Sequence, residues 1–162
     1  MSNSLRSVEY RRWAIGSNGD ATRTAHAELI VGSPEQCGCK RCLNFAAQRD
    51  KIYSTATLAL FESLGIQSNR EAEIYHMARL ESGKPLYGGW FHLVGSIFFG
   101  ADAAKQVSEN TCRPDLEGES ENFSLGFTSR AHLVRESFKG LQLVQLEFTA
   151  QIPWILEAEE PQ

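Results

Sequence analysis

Within the stretch Leu141 to Ile152 the chain alternates apolar and polar residues one for one from Val144 onward, and that period sets the fold class. Val144, Leu146, Phe148, Ala150 and Ile152 fall on one side, and Gln145, Glu147, Thr149 and Gln151 on the other. Successive side chains of a strand point to opposite faces, so this pattern marks a half-buried antiparallel strand. A second alternation runs through Ala72, Ile74, His76, Ala78 and Leu80. Glu81-Ser82-Gly83-Lys84 then turns the chain into another strand, Leu86 to Phe99. Further strands are predicted at 123–127 and 131–138, the latter joined to the last strand by a turn at Lys139-Gly140.

The N-terminal third reads as a hairpin over 7–31. Val8, Tyr10, Trp13 and Ile15 form one arm, Gly16-Ser17-Asn18-Gly19-Asp20 the turn, and Thr22 to Val31 the return. Helical spacing follows it. One helix is expected from near Lys40 to Ile52. A second, capped by Ser54 or Thr55, carries Tyr53, Ala56, Leu60, Phe61 and Leu64 as its core stripe and stops at Gly65. The expectation is an α+β fold: a mainly antiparallel sheet of hairpins, with two consecutive helices inserted after the first hairpin. No glycine-rich phosphate loop or βαβ alternation argues for a doubly wound nucleotide-binding fold.

At 162 residues the chain is expected to form one domain, 1–162, with an ordered core over about 7–154. Residues 100–122, with Asp115, Glu117, Glu119 and Glu121, read as a flexible acidic loop, and 155–162 as a solvated tail. The net charge is −4 and the basic residues are scattered, which argues against a nucleic-acid partner. The longest apolar run, Trp90 to Phe99, is too short and too interrupted to span a bilayer. With no apolar leader after Met1, a cytoplasmic protein with reduced thiols is expected.

Candidate chemistry concentrates at Cys37-Gly38-Cys39-Lys40-Arg41-Cys42, which holds three of the four cysteines. Three readings are open. The thiolates of Cys37, Cys39 and Cys42 can ligate a metal, zinc being the natural choice, with Cys112, His26 or His76 as the fourth donor. Alternatively, Cys39-x-x-Cys42 at a helix entrance can exchange disulfides, its thiolate favoured by the helix N-terminus. Or the thiols fill a turn and do neither. A second constellation comes from the 71–99 hairpin. A two-residue turn at Ser82-Gly83 pairs Tyr75 with Trp90 and Glu73 with His92. Glu73, Tyr75, Gly88, Gly89, Trp90 and His92 then form a binding surface, or a hydrolase-like cleft around Glu73 and His92. The competing account is a cross-strand pairing that only supports the sheet.

The run Cys37-Gly38-Cys39-x-x-Cys42-x-Asn44-Phe45, with Leu64-Gly65-Ile66, Glu73-x-Tyr75, Tyr87-x-Gly89-Trp90-Phe91-His92 and Pro153-Trp154, resembles a family of uncharacterised bacterial proteins. The resemblance implies a small bacterial single domain and no particular activity, cofactor or partner. The reading that emerges is a non-enzymatic binding or accessory domain with a protein or peptide partner, the thiol enzyme and the hydrolase standing as alternatives.

Overall fold

The computed structural model describes residues 4–162; residues 1–3 of the expected domain lie outside the described part. The chain starts with a hairpin tighter than expected. β1 (Arg6–Tyr10) and β2 (Trp13–Ser17) pair antiparallel across Arg11-Arg12, Arg11 taking the left-handed conformation with φ 53°. Gly16 to Asp20 is therefore not the turn of a 7–31 hairpin. Asn18 caps a helix, accepting the Ala21 N–H at 3.0 Å, and α1 (Gly19–Ala27) replaces the returning strand. The alternation Ala25, Ala27, Leu29 was misleading because Thr22, Ala25 and His26 also share a helical face, and that face is the buried one.

Four more helices follow: α2 (Ser33–Cys37), α3 (Lys40–Ala47), α4 (Arg49–Ile52) and α5 (Thr55–Leu64). Ser54 caps α5 through the Thr57 N–H at 3.1 Å, and Gly65 ends it at φ 81°. The remaining strands are β3 (Glu73–Arg79), β4 (Pro85–Phe99), β5 (Ala104–Ser108), β6 (Thr111–Pro114), β7 (Glu117–Ser120), β8 (Phe123–Thr128) and β9 (Leu143–Gln151). The architecture is α+β with antiparallel pairing throughout. The main sheet runs β1-β2-β4-β9-β8-β7, with β3 also on β4, and β5 and β6 form a separate hairpin.

Two segments depart from expectation. Residues 131–138 form a loop with one 3-10 turn at Glu136–Phe138 rather than a strand, because Phe138 packs inward against His26 and His92. Residues 100–122 carry β5, β6 and β7 rather than one loop. Three of their acids have partners on the first hairpin: Arg12 meets Asp115 and Glu117, and Tyr10 and Arg11 both reach Glu119.

The long β4 holds the molecule together. Its first half pairs with β3 as far as Trp90, and its far end pairs with β2 from Gly95. Between those stretches its backbone on that side has no strand partner, and α1 supplies one. The Asn18 N–H donates to the Val94 carbonyl, the Val94 N–H to Thr22 Oγ1, and His26 Nε2–H to the His92 carbonyl, each at 2.9 Å. On the apolar face, Phe45, Tyr53 and Phe61 from the helical region pack on Phe91, Phe123 and Phe148, with ring centroids from 4.9 Å apart. Each such aromatic buries a large apolar area, so this cluster is the main source of stability.

Candidate metal centre

The cysteines converge because of one glycine. Cys37 is the last residue of α2. Gly38 follows in the left-handed conformation, φ 67° and ψ 7°, and reverses the chain at the cost only glycine escapes. Cys39 then becomes the N-cap of α3, its Sγ accepting the Cys42 N–H at 3.5 Å, and Cys42 sits one turn on. The three Sγ atoms lie within 4.8 Å of one another. Cys37 and Cys39 are exposed and Cys42 is buried.

A buried ion pair sets the position of α2. The Glu71 carboxylate has no solvent exposure and accepts from Arg49 Nε at 2.9 Å, Arg49 Nη2 at 2.8 Å and the Tyr53 hydroxyl at 2.8 Å. Arg49 also grips Glu35 of α2, and the Ser33 N–H donates to the Glu71 carbonyl at 2.9 Å. α3 is fixed from its other side. The Tyr87 hydroxyl donates to the Arg41 carbonyl at 2.9 Å, and the buried Asn44 side chain lies beside the same hydroxyl at 3.4 Å.

The thiols differ in acidity. Burial pushes the Cys39 thiol up. Hydrogen bonds from the Cys42 and Arg41 backbone and from the Cys42 and Cys37 thiols outweigh that, and the net shift is downward. For Cys42, burial and then its two sulfur neighbours all push upward. No acidic side chain lies in the first turn of α3, so the helix N-terminus, Lys40 and Arg41 all favour negative charge on sulfur.

None of the three expected fourth donors joins the thiols among the described residues. Cys112 lies on β6 and takes a hydrogen bond from Arg130. His26 is fully buried, its Nε2–H spent on the His92 carbonyl that α1 must satisfy. His76 lies on β3 with its ring edge on Tyr87, and its Nε2 is buried without a partner.

The Glu73 and His92 pairing is also corrected. The turn is longer than two residues: the Leu80 N–H donates to the Lys84 carbonyl, and Gly83 takes φ 88°. That displaces the register by one, and a bulge between His76 and Ala78 adds another. The total is even, so the faces survive while every partner changes. Glu73 stands opposite Trp90 and accepts from Ser33 Oγ at 3.1 Å, and Tyr75 stands opposite Gly88. His92 is buried and donates from Nε2 to Gln145 Oε1 at 2.9 Å. A hydrolase-like cleft around Glu73 and His92 is not formed.

Of the expected binding surface, Tyr75 and Trp90 share a face with ring centroids 5.9 Å apart. Gly88 is not an open docking slot, because the Tyr75 ring itself lies over it. Gly89 faces the core, where a Cβ would meet Ile74, the Glu73 carbonyl and Phe148 within 2.8 Å.

The segment 155–162, expected as a solvated tail, keeps Ile155, Glu157, Ala158, Glu159 and Gln162 exposed, yet α3 tethers the chain that leads into it. Asn44 Nδ2 and Gln48 Nε2 donate to the Pro153 carbonyl at 3.1 and 2.8 Å, and the Ile155 N–H donates to Asn44 Oδ1 at 2.9 Å. The sequence carried a signal for this clamp: Asn44 and Gln48 are polar at i and i+4 beside core residue Phe45, a spacing that puts both on one helix face. Among the described residues no helix is long and apolar enough to cross a membrane. No protein-family model, curated protein or solved structure matches the chain.

Proposed function

We propose that this protein is a non-enzymatic binding or accessory domain clipped by a soft metal ion, zinc, on Cys37, Cys39 and Cys42. The observation that carries the reading is the gathering of three Sγ atoms within 4.8 Å. Tetrahedral zinc with Zn–S bonds of about 2.3 Å sets its sulfurs roughly 3.8 Å apart, so each thiolate moves by less than about 1 Å. Three thiolates on a divalent ion leave one negative charge, which the α3 N-terminus, Lys40 and Arg41 offset. The fourth position falls to water or an external donor.

Elemental analysis of protein purified without added metal or chelator tests this. About one zinc per chain is expected, lost in Cys37→Ser and in Cys42→Ser, together with a cobalt-substituted form showing thiolate charge-transfer absorption. Metal-free protein whose melting temperature ignores added zinc would return the thiols to packing.

One observation favours thiol exchange as a second reading: the exposed Cys39 is the more acidic thiol and the buried Cys42 the less acidic. In that chemistry the Cys39 thiolate attacks a substrate disulfide and releases one thiol. Cys42 then displaces the second, leaving a Cys39–Cys42 disulfide. Alkylation rates against pH decide it, since a Cys39 that titrates like a free thiol removes this reading.

A further inference from the structure

The first turn of α3 carries two things at once. It holds the thiols Cys39 and Cys42, and it holds the closing stretch of the chain. Besides the Asn44 and Gln48 clamp on Pro153 and Ile155, Arg41 donates to the Pro161 carbonyl at 2.8 Å. Glu160 forms an ion pair with Arg79 of β3, and its side chain is only 10% exposed. Trp154 Nε1–H donates to the Ala158 carbonyl at 2.7 Å and folds the segment back on itself. Residues 153–161 thus form a strap laid across α3 and the end of β3.

Its seat is poorly secured at one end. α3 is eight residues long, and its N-cap bond is a sulfur acceptor at 3.5 Å. A single left-handed glycine separates it from α2. A helix this short has little stability of its own, and its first turn depends on outside support. Arg41, which donates to the Pro161 carbonyl, leaves its Nε buried without a partner, as does His76 at Nε2.

Resting on the metal reading above, we infer that seating of strap 153–161 reports and regulates the state of the three-thiol site. An ion on Cys37, Cys39 and Cys42 ties the end of α2 to the first turn of α3. That fixes Arg41 of that turn and Asn44 just after it, which hold the strap together with Gln48 at the far end of α3. Metal and strap favour the same arrangement of α3, so each raises the affinity for the other by the same factor. Release of the ion loosens the first turn, frees the strap and uncovers Arg41 and His76.

Amide exchange of the full chain, followed by NMR with and without one equivalent of zinc, tests the linkage. Zinc affinity is measured in parallel by chelator competition on the parent, Glu160→Gln and Arg79→Ala. The Ile155 amide is expected to exchange roughly fivefold or more slowly with zinc, and both variants to bind zinc more weakly by a similar factor. If the parent takes up no zinc, the metal reading fails and the linkage falls with it. If zinc binds while Ile155 exchange and variant affinities stay unchanged, the linkage alone is overturned.

Discussion

His26 is the group through which mild acid weakens this fold. Its ring is fully buried, Nε2–H donates to the His92 carbonyl, and Nδ1 is buried without a partner. Burial holds the ring neutral and pulls its pKa from 6.5 down to about 4. The bond to the His92 carbonyl works the other way, and the nearby His92 and Arg70 add to the depression. The unfolded chain therefore takes up the proton first. The stability that depends on a neutral His26 is complete above about pH 6.5 and is lost as the pH falls toward about 4. Across that interval, about 1.4 kcal/mol per pH unit amounts to about 3 kcal/mol. That is a large share of the roughly 5–15 kcal/mol typical of a whole domain.

His92, also lowered by burial, adds in the same direction. Glu71 opposes both. Burial pushes its carboxyl up further than Arg49 and Tyr53 pull it back, so its protonation favours the fold. The assay must therefore isolate His26. Urea unfolding of the parent and of His26→Gln is compared from neutrality down to about pH 4. The variant keeps a donor near the His92 carbonyl and cannot titrate. It is expected to lose about 1–3 kcal/mol at neutral pH through the disturbed hydrogen bond, yet to show the shallower decline with acid. Equal slopes in the two proteins would refute the assignment.

Arg49→Ala leaves the Glu71 carboxylate buried with only Tyr53, and a loss of about 3–5 kcal/mol is expected in denaturant melts. Gly65→Ala combines φ 81° with a Cβ that would run into the Gly19 carbonyl, so a cost of about 2 kcal/mol or more is expected in the same assay. If the metal reading holds, a strong chelator lowers the melting temperature of the parent and leaves that of Cys42→Ser unchanged, as scanning calorimetry would show.

Sequence legibility followed the range of the forces involved. The strands at 73–79 and 143–151 are legible because an alternating strand writes its period into consecutive residues, and the strand at 85–99 because a turn signal precedes it. The Gly65 stop, the Ser54 cap and the α3 start at Lys40 were readable because caps are local backbone chemistry. Residues 19–27 form a helix where a strand is expected, because small residues fit both periods. The choice was made by the bare backbone of β4, which needed Asn18, Thr22 and His26 as partners.

By itself the sequence determined the antiparallel sheet, the helical insertion and the crowding of three thiols around Gly38, since each follows from neighbours within a few residues. Only the tertiary structure decided which side chains meet. A longer turn and one bulge moved Glu73 from His92 to Trp90, and packing of Phe138 and α1 drew both His26 and His92 inside. Hydrogen bonds from Arg41 and Gln48, far off in the chain, laid residues 153–161 on α3. Register and long-range docking depend on the summed fit of surfaces distant in the chain, and no short window of residues encodes that sum.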